Sequence, residues 1–340
     1  MKKNFKHEGK TFVFLMSFVF ILSACLYSSD CSRQDVFCAA LVTDTLGIND
    51  HGMNQDSWAG LEEAKLSGFV DRIEYIESVD TRDYEKNITY FADKGYDVII
   101  TIGIGLRDET LQAADLYPDS VFIGMNQPHE ELRPNLIPIT FAEDQMGFAA
   151  GALAARISET RVIGAACETS GIDSMWRYCE GFRAGAKFAD KDIKILVIYR
   201  DDGSSEKLFI DEDWGYETAQ KLIQRGADVI FAAGGVTGQG ALRAAAEADV
   251  KAIGTERDQG AVLGESGSSV VTSIYGRPSF EVQNLMRLLR DGNVNEPRIS
   301  QIGYVPFDEK FPERFTEEMD TLLLSLWIGN VKTNVNTEKP

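Results

Sequence analysis

Asp97-Val98-Ile99-Ile100 recurs as Asp228-Val229-Ile230-Phe231. In both places the apolar run follows a helix-like stretch that closes in glycine, and it leads into a glycine-rich loop. Asp119–Gly124 (DSVFIG) is answered about 130 positions later by Ala248–Gly254 (ADVKAIG). The runs VIITIG and VIFAAGG show no polar alternation, the pattern of parallel strands buried on both faces. Around them the chain alternates strand-like and helix-like segments. Strands are predicted at 36–43, 72–78, 97–102, 121–124 and 136–140, then at 161–166, 193–199, 228–232, 251–253 and 270–273. Helices are predicted at 54–67, 84–94, 108–117, 143–157, 174–189, 212–225, 239–248 and 279–290. The expectation is an α/β protein of two lobes, each a mostly parallel sheet flanked by helices, with the chain crossing near 140 and near 273. A single ten-stranded sheet is the alternative.

The N-terminus bears on location. Lys2, Lys3, Lys6 and Lys10 precede Thr11–Ala24, an uncharged apolar run of 14 residues. That is short of the roughly 20 a spanning helix needs, so it reads as a secretory signal. It ends Leu22-Ser23-Ala24-Cys25, which resembles a bacterial lipobox, with Cys25 as the lipidated first mature residue; an ordinary signal with a chance cysteine is the alternative. Residues 1–24 are assigned to the signal peptide and 25–35 to a tether. Residues 36–141 with 274–300 form one lobe and 142–273 with 301–330 the other. Residues 331–340 are a polar tail expected to lack structure. The resulting location is extracytoplasmic, on the bacterial cell membrane.

Loss of 1–24 removes four Lys and one Glu and moves the formal charge from −19 to about −22. Such a chain repels phosphate backbones, which argues against nucleic acid as a partner. In an exported chain Cys31, Cys38, Cys167 and Cys179 are open to oxidation, and Cys167 with Cys179 would pair across a short loop; buried free thiols are the alternative.

Enzyme motifs are weak. Gly103-Ile104-Gly105 lacks the third glycine of a dinucleotide fingerprint, and the loop Gly234–Gly240 lacks the lysine of a phosphate-binding loop. No G-x-S-x-G elbow occurs. His51 beside Asp50 has no nucleophile assigned to it. With three His and no C-x-x-C or H-E-x-x-H spacing, no metal or cofactor is expected.

The fuller signal is the loop Val42-Thr43-Asp44, Gly47-Ile48-Asn49-Asp50, Asn54-Gln55, Trp58 and Gly60-Leu61. It is joined by Gly181-Phe182-Arg183-Ala184-Gly185, Gly226–Phe231, Ala252-Ile253-Gly254 with Asp258-Gln259, and Thr272-Ser273 with Arg277. In order and spacing, from about Val36 to about Arg290, these resemble the basic membrane protein family of lipoproteins, substrate-binding components of ABC importers that include purine-nucleoside receptors. The resemblance implies a two-lobed type I periplasmic-binding fold that closes on a small molecule at the interlobe cleft.

Carried over residue by residue, it makes Met53 and Phe209 the two faces of a ring sandwich. Met53 stands where relatives have an aromatic ring, and a thioether still packs on a ring. Asn54 reads the base edge, Asn126 replaces a family aspartate, and Glu256 replaces the aspartate that takes a diol. Asp44 lies near the cleft floor and Gly235 in the opposing glycine-rich loop. The family's lysine is Gly276 here. The implied activity is a lipid-anchored receptor that hands a nucleoside-like, ring-containing ligand to an ABC permease, without chemistry. A lipoprotein that signals occupancy to a membrane partner is a second reading. A nucleoside-processing enzyme is a third, disfavoured by the missing base–nucleophile pair.

Overall fold

A computed structural model describes residues 31–33, 35–292, 296–309 and 311–340. Cys25, the predicted signal peptide and most of the predicted tether lie outside these residues.

The first half runs β1 (Cys38–Val42), α1 (Met53–Leu66), β2 (Arg72–Ile76), α2 (Tyr84–Asp93), β3 (Val98–Ile102), α3 (Arg107–Leu116), β4 (Val121–Met125) and β5 (Leu136–Phe141). The second half repeats this order: α4 (Glu143–Ile157), β6 (Val162–Cys167), α5 (Asp173–Ala189), β7 (Lys194–Tyr199), α6 (Glu212–Gln224), β8 (Val229–Ala233), α7 (Gly235–Glu247), β9 (Lys251–Thr255), α8 (Gln259–Leu263) and β10 (Val270–Gly276). Then come α9 (Pro278–Arg290), the short β11 (Arg298–Ser300) and β12 (Ile302–Tyr304), and α10 (Arg314–Trp327).

Two six-stranded sheets result, ordered β2-β1-β3-β4-β5-β11 and β7-β6-β8-β9-β10-β12. All pairings are parallel except β10 with β12. All ten predicted strands are present; the three-residue edge strands β11 and β12 and helices α8 and α10 were not anticipated. The chain passes between sheets after β5, after β10 and between β11 and β12.

The sequence echo has a physical cause. Asp97 and Asp228 each open the strand beside the first strand of their sheet. Asp97 Oδ2 accepts the Cys38 N–H at 2.7 Å. The Asp228 carboxylate accepts the N–H groups of Glu159 and Thr160 at 2.6 and 2.8 Å, with Ser158 Oγ donating at 2.6 Å. Each aspartate pins the chain at the entry of its neighbouring strand.

The Gly181–Gly185 motif is a packing device. A Cβ on Gly185 would lie 1.9 Å from the Phe148 carbonyl oxygen, and one on Gly151 would lie 1.9 Å from that of Phe182. Helices α4 and α5 therefore meet backbone to backbone, as small residues allow, and cover one face of the second sheet. Cys167 at the end of β6 is disulfide-bonded to Cys179 on α5, and Cys31 is bonded to Cys38 at the start of β1.

The tail carries no helix or strand and is held by polar contacts. Thr333 Oγ1 donates to Asp144, Arg177 Nη1 donates to the Thr337 carbonyl at 2.9 Å, and Lys339 Nζ donates to Ser170 Oγ. Asp144 lies in the first turn of α4, Ser170 just ahead of α5 and Arg177 within it. Among the described residues no helix is long and apolar enough to cross a membrane.

Candidate functional site

The loop between β1 and α1 is organised by Asp50. Its Oδ1 accepts the N–H groups of Gly52 and Gln55 at 2.8 and 3.1 Å, and its Oδ2 accepts Asn54 N–H and Nδ2 at 3.2 and 3.0 Å. The start of α1 is thus capped by a carboxylate two residues ahead of the helix's N-cap. Asn54 is fully buried; Nδ2 also donates to Asp44 Oδ1 at 2.9 Å, while Oδ1 accepts Asp44 N–H at 3.3 Å. Burial raises the Asp44 carboxyl's pKa, opposed by its hydrogen bonds from Asn54 and Leu46. Asp44 and Asn54 therefore tie the loop together and do not line the cavity beside it. His51 does line it, but Asp50 is committed to α1, so the two are not arranged as an acid–base pair.

That cavity has a volume of about 360 Å³ and takes walls from both halves of the chain. The first sheet's side supplies Met53 and Asp56 from α1, Asn126 after β4 and Phe141 at the end of β5; the second supplies Glu143 on α4, Tyr178 on α5, Glu256 to Asp258 after β9, and Tyr275. At one rim the halves touch: Arg257 Nη1 donates to the Asp50 carbonyl at 3.2 Å and Asp258 N–H to the His51 carbonyl at 3.1 Å. At the opposite side Phe141 and Gly276, the last residues of the crossing strands β5 and β10, press together. A Cβ on Gly276 would fall 1.9 Å from Phe141 Cδ1. The ring fills the space a side chain at 276 would need, which accounts for the glycine there.

Three lining residues, His51, Asn126 and Glu256, have φ of +50°, +58° and +69°. Asparagine tolerates this region; glutamate pays for it, and such outliers gather at functional sites. Glu256 is exposed and lines the cavity. Desolvation by the surrounding protein raises its pKa, Arg257 opposes this, and Glu143 adds to it. No described residue donates a hydrogen bond to it. Burial also raises Glu143, against the pull of Arg177, whose Nε donates to Oε2 at 2.9 Å. Burial raises Asp56 likewise, against the Ser279 N–H that donates to Oδ2 at 3.0 Å. Tyr178 is 3% exposed, and its hydroxyl is 3.6 Å from Met146 Sδ, a weak acceptor.

Phe209 and Gly235 sit together elsewhere in the second half. The Phe209 carbonyl accepts the N–H groups of Val236 and Thr237 at the start of α7, at 2.9 and 3.3 Å, so those donors do not face an anion. A Cβ on Gly235 would lie 2.9 Å from that carbonyl. Phe209, at φ +64°, is fixed through its N–H to buried Glu168 Oε2 at 3.0 Å. Glu168 Oε1 accepts from Arg200 Nη1 at 3.0 Å, and Arg200 Nε donates to Asp211 at 3.1 Å. In this conformation the pair does not line the cavity. Of the site residues carried over from the resemblance, the cavity gathers Met53, Asn126 and Glu256, together with His51, Gln55, Asp258 and Gly276 from the quoted loops. It adds Asp56, Glu143 and Tyr178 on predicted helices, and Phe141, Arg257 and Tyr275 just beyond predicted strands.

The model for the ABC transporter substrate-binding, PnrA-like Bmp family matches residues 37–303. The chain belongs to this family. It is 32% identical over 236 residues to the ABC transporter nucleoside-binding protein BmpA of Lactococcus lactis subsp. cremoris, covering 65% of this chain and 64% of the relative. It is 28% identical over 315 residues to the CD4+ T-cell-stimulating antigen of Listeria monocytogenes, covering 84% of this chain and 85% of that one. Among solved structures, an ABC transporter solute-binding protein from Conexibacter woesei superposes with a TM-score of 0.73 at 22% identity, covering 87% of this chain and 98% of the other. The fold is that of the type I periplasmic-binding proteins. The family membership makes the chain an ABC transporter substrate-binding protein.

Proposed function

We propose that this family member binds a nucleoside-like, ring-containing small molecule in the cavity between its two halves and releases it unchanged to an ABC permease. The observation that carries this is the cavity itself. Its 360 Å³ falls within the range of small-molecule sites, and it combines aromatic faces (Phe141, Tyr178, Tyr275) with polar groups that have spare hydrogen-bonding capacity (Asn126, Glu256). The relative named as a nucleoside-binding protein supports the ligand class. Met53 packs on the ring, Asn126 reads its edge and Glu256 accepts from hydroxyl or amino groups. Phe209 and Gly235 join the site only if the lobes rearrange around the ligand, while Asp44 and Asn54 hold the α1 loop that presents Met53. Catalysis is not part of the reading, since no lining pair is arranged as nucleophile and base.

Lipidation of Cys25 would hold the domain to the outer face of the cell membrane, and the two disulfides suit an oxidising compartment. Transport is favoured over signalling by the family assignment. The test is a thermal-shift screen of the detergent-solubilised full-length chain against nucleosides, free bases, sugars and amino acids. A ligand at about 100 times its Kd adds about 2.7 kcal/mol of stability. A nucleoside should raise the melting temperature and return intact on chromatography. A response to sugars or amino acids alone, or a converted nucleoside, overturns the reading.

A further inference from the structure

We infer that the cavity is built for a positively charged ring: its ligand is an organic cation, and anionic analogues are refused. The inference rests on the proposed use of this cavity and adds the charge of what enters it.

Helix N-termini are the usual anion sites in folds of this kind. Two of those that open onto this cavity are occupied by the chain's own carboxylates. Asp50 takes the free N–H groups at the start of α1, and Asp56 takes the Ser279 N–H at the start of α9. The lining then adds Glu256, Asp258 and Glu143. Glu143 is balanced by Arg177. The one guanidinium among the described lining residues, Arg257, has Nη1 turned to the Asp50 carbonyl. Arg257 stands next to Glu256 and its charge acts on it, but no described residue donates a hydrogen bond to the Glu256 carboxyl, so its oxygens are left for a guest.

A metal ion does not answer this charge: among the described residues no group of three or more His, Cys, Asp or Glu is placed to hold one. The remaining walls are the rings of Phe141, Tyr178 and Tyr275, whose faces attract a delocalised cation as well as an apolar ring. The buried Tyr178 hydroxyl, with only a thioether beside it, marks a further place for a polar guest atom.

The experiment is isothermal titration of the detergent-solubilised full-length chain at neutral pH with adenosine, 1-methyladenosine and adenosine 5′-monophosphate, which share one framework and are neutral, cationic and anionic. The expected order is 1-methyladenosine about tenfold tighter than adenosine, with no measurable binding of the monophosphate. Glu256→Gln should bring the two nucleosides to within about twofold of each other. If that variant does not fold, the wild-type order decides alone. Adenosine binding as tightly as 1-methyladenosine, or the monophosphate binding at all comparably, overturns the charge inference and leaves the nucleoside reading standing. Silence from all three overturns both.

Discussion

Glu256 combines three costs in one residue: a left-handed backbone, a carboxyl desolvated by the surrounding protein and no hydrogen-bond donor from a described residue. A folded-state pKa above the unfolded value of about 4.3 means that the folded chain binds more protons than the unfolded one between those values. The contribution to stability is full below the unfolded pKa and is lost as pH rises through the folded one. Glu143 and Asp56, shifted the same way, add to this slope, and Arg257 opposes it. Glu256→Gln should therefore raise the ligand-free melting temperature at neutral pH by on the order of 2 °C, with the gain shrinking towards pH 4. A constant difference across a pH series read by differential scanning calorimetry would show that the carboxyl's charge is not the cause. Arg200 makes the opposite case. It is 2% exposed and paired with buried Glu168. Arg200→Met strands that carboxylate and should cost about 3–5 kcal/mol in urea denaturation. Met53, Asn126 and Glu256 were singled out by the family resemblance, and all three line the cavity. Asn54 and Asp44 were singled out in the same way, and only the packing shows that their polar atoms turn inward to each other.

Elements were easier to read than their contacts. Continuous apolar runs leading into glycine marked β3 and β8, whereas β11 and β12, at three residues each, are too short to carry a period. Phe141 and Gly276 illustrate the remaining gap. Each ends an observed strand that runs past its predicted bound, and only the crossing of β5 and β10 brings ring and glycine together. The α4–α5 pair is the element most sensitive to added bulk. Gly185→Ala places a methyl against the Phe148 carbonyl, and overpacking of this kind costs about 1–3 kcal/mol. Chemical denaturation should show at least that loss. An unchanged midpoint would mean that the helices separate at little cost.

At the level of the molecule, the repeat visible in the sequence became two sheets with one strand order. The tail could not be read this way: its polar composition says nothing of the partners that α4 and α5 offer it. Cys167 and Cys179, twelve positions apart, close a short loop within the second half. Replacing both with serine should cost about 2–4 kcal/mol, read as a lower denaturation midpoint that matches the reduced wild type. If reduction leaves the wild-type midpoint where it was, the bond adds nothing to stability.

The other bond, Cys31 to Cys38, lies where the chain enters β1. If Cys25 is fixed in a bilayer, every tug between the membrane and the domain arrives through the few residues before Cys31. The covalent link passes that load straight to a central strand of the first sheet. The segment 32–37 then bears no strain, and the leash pulls on the domain as a whole instead of peeling its first strand away.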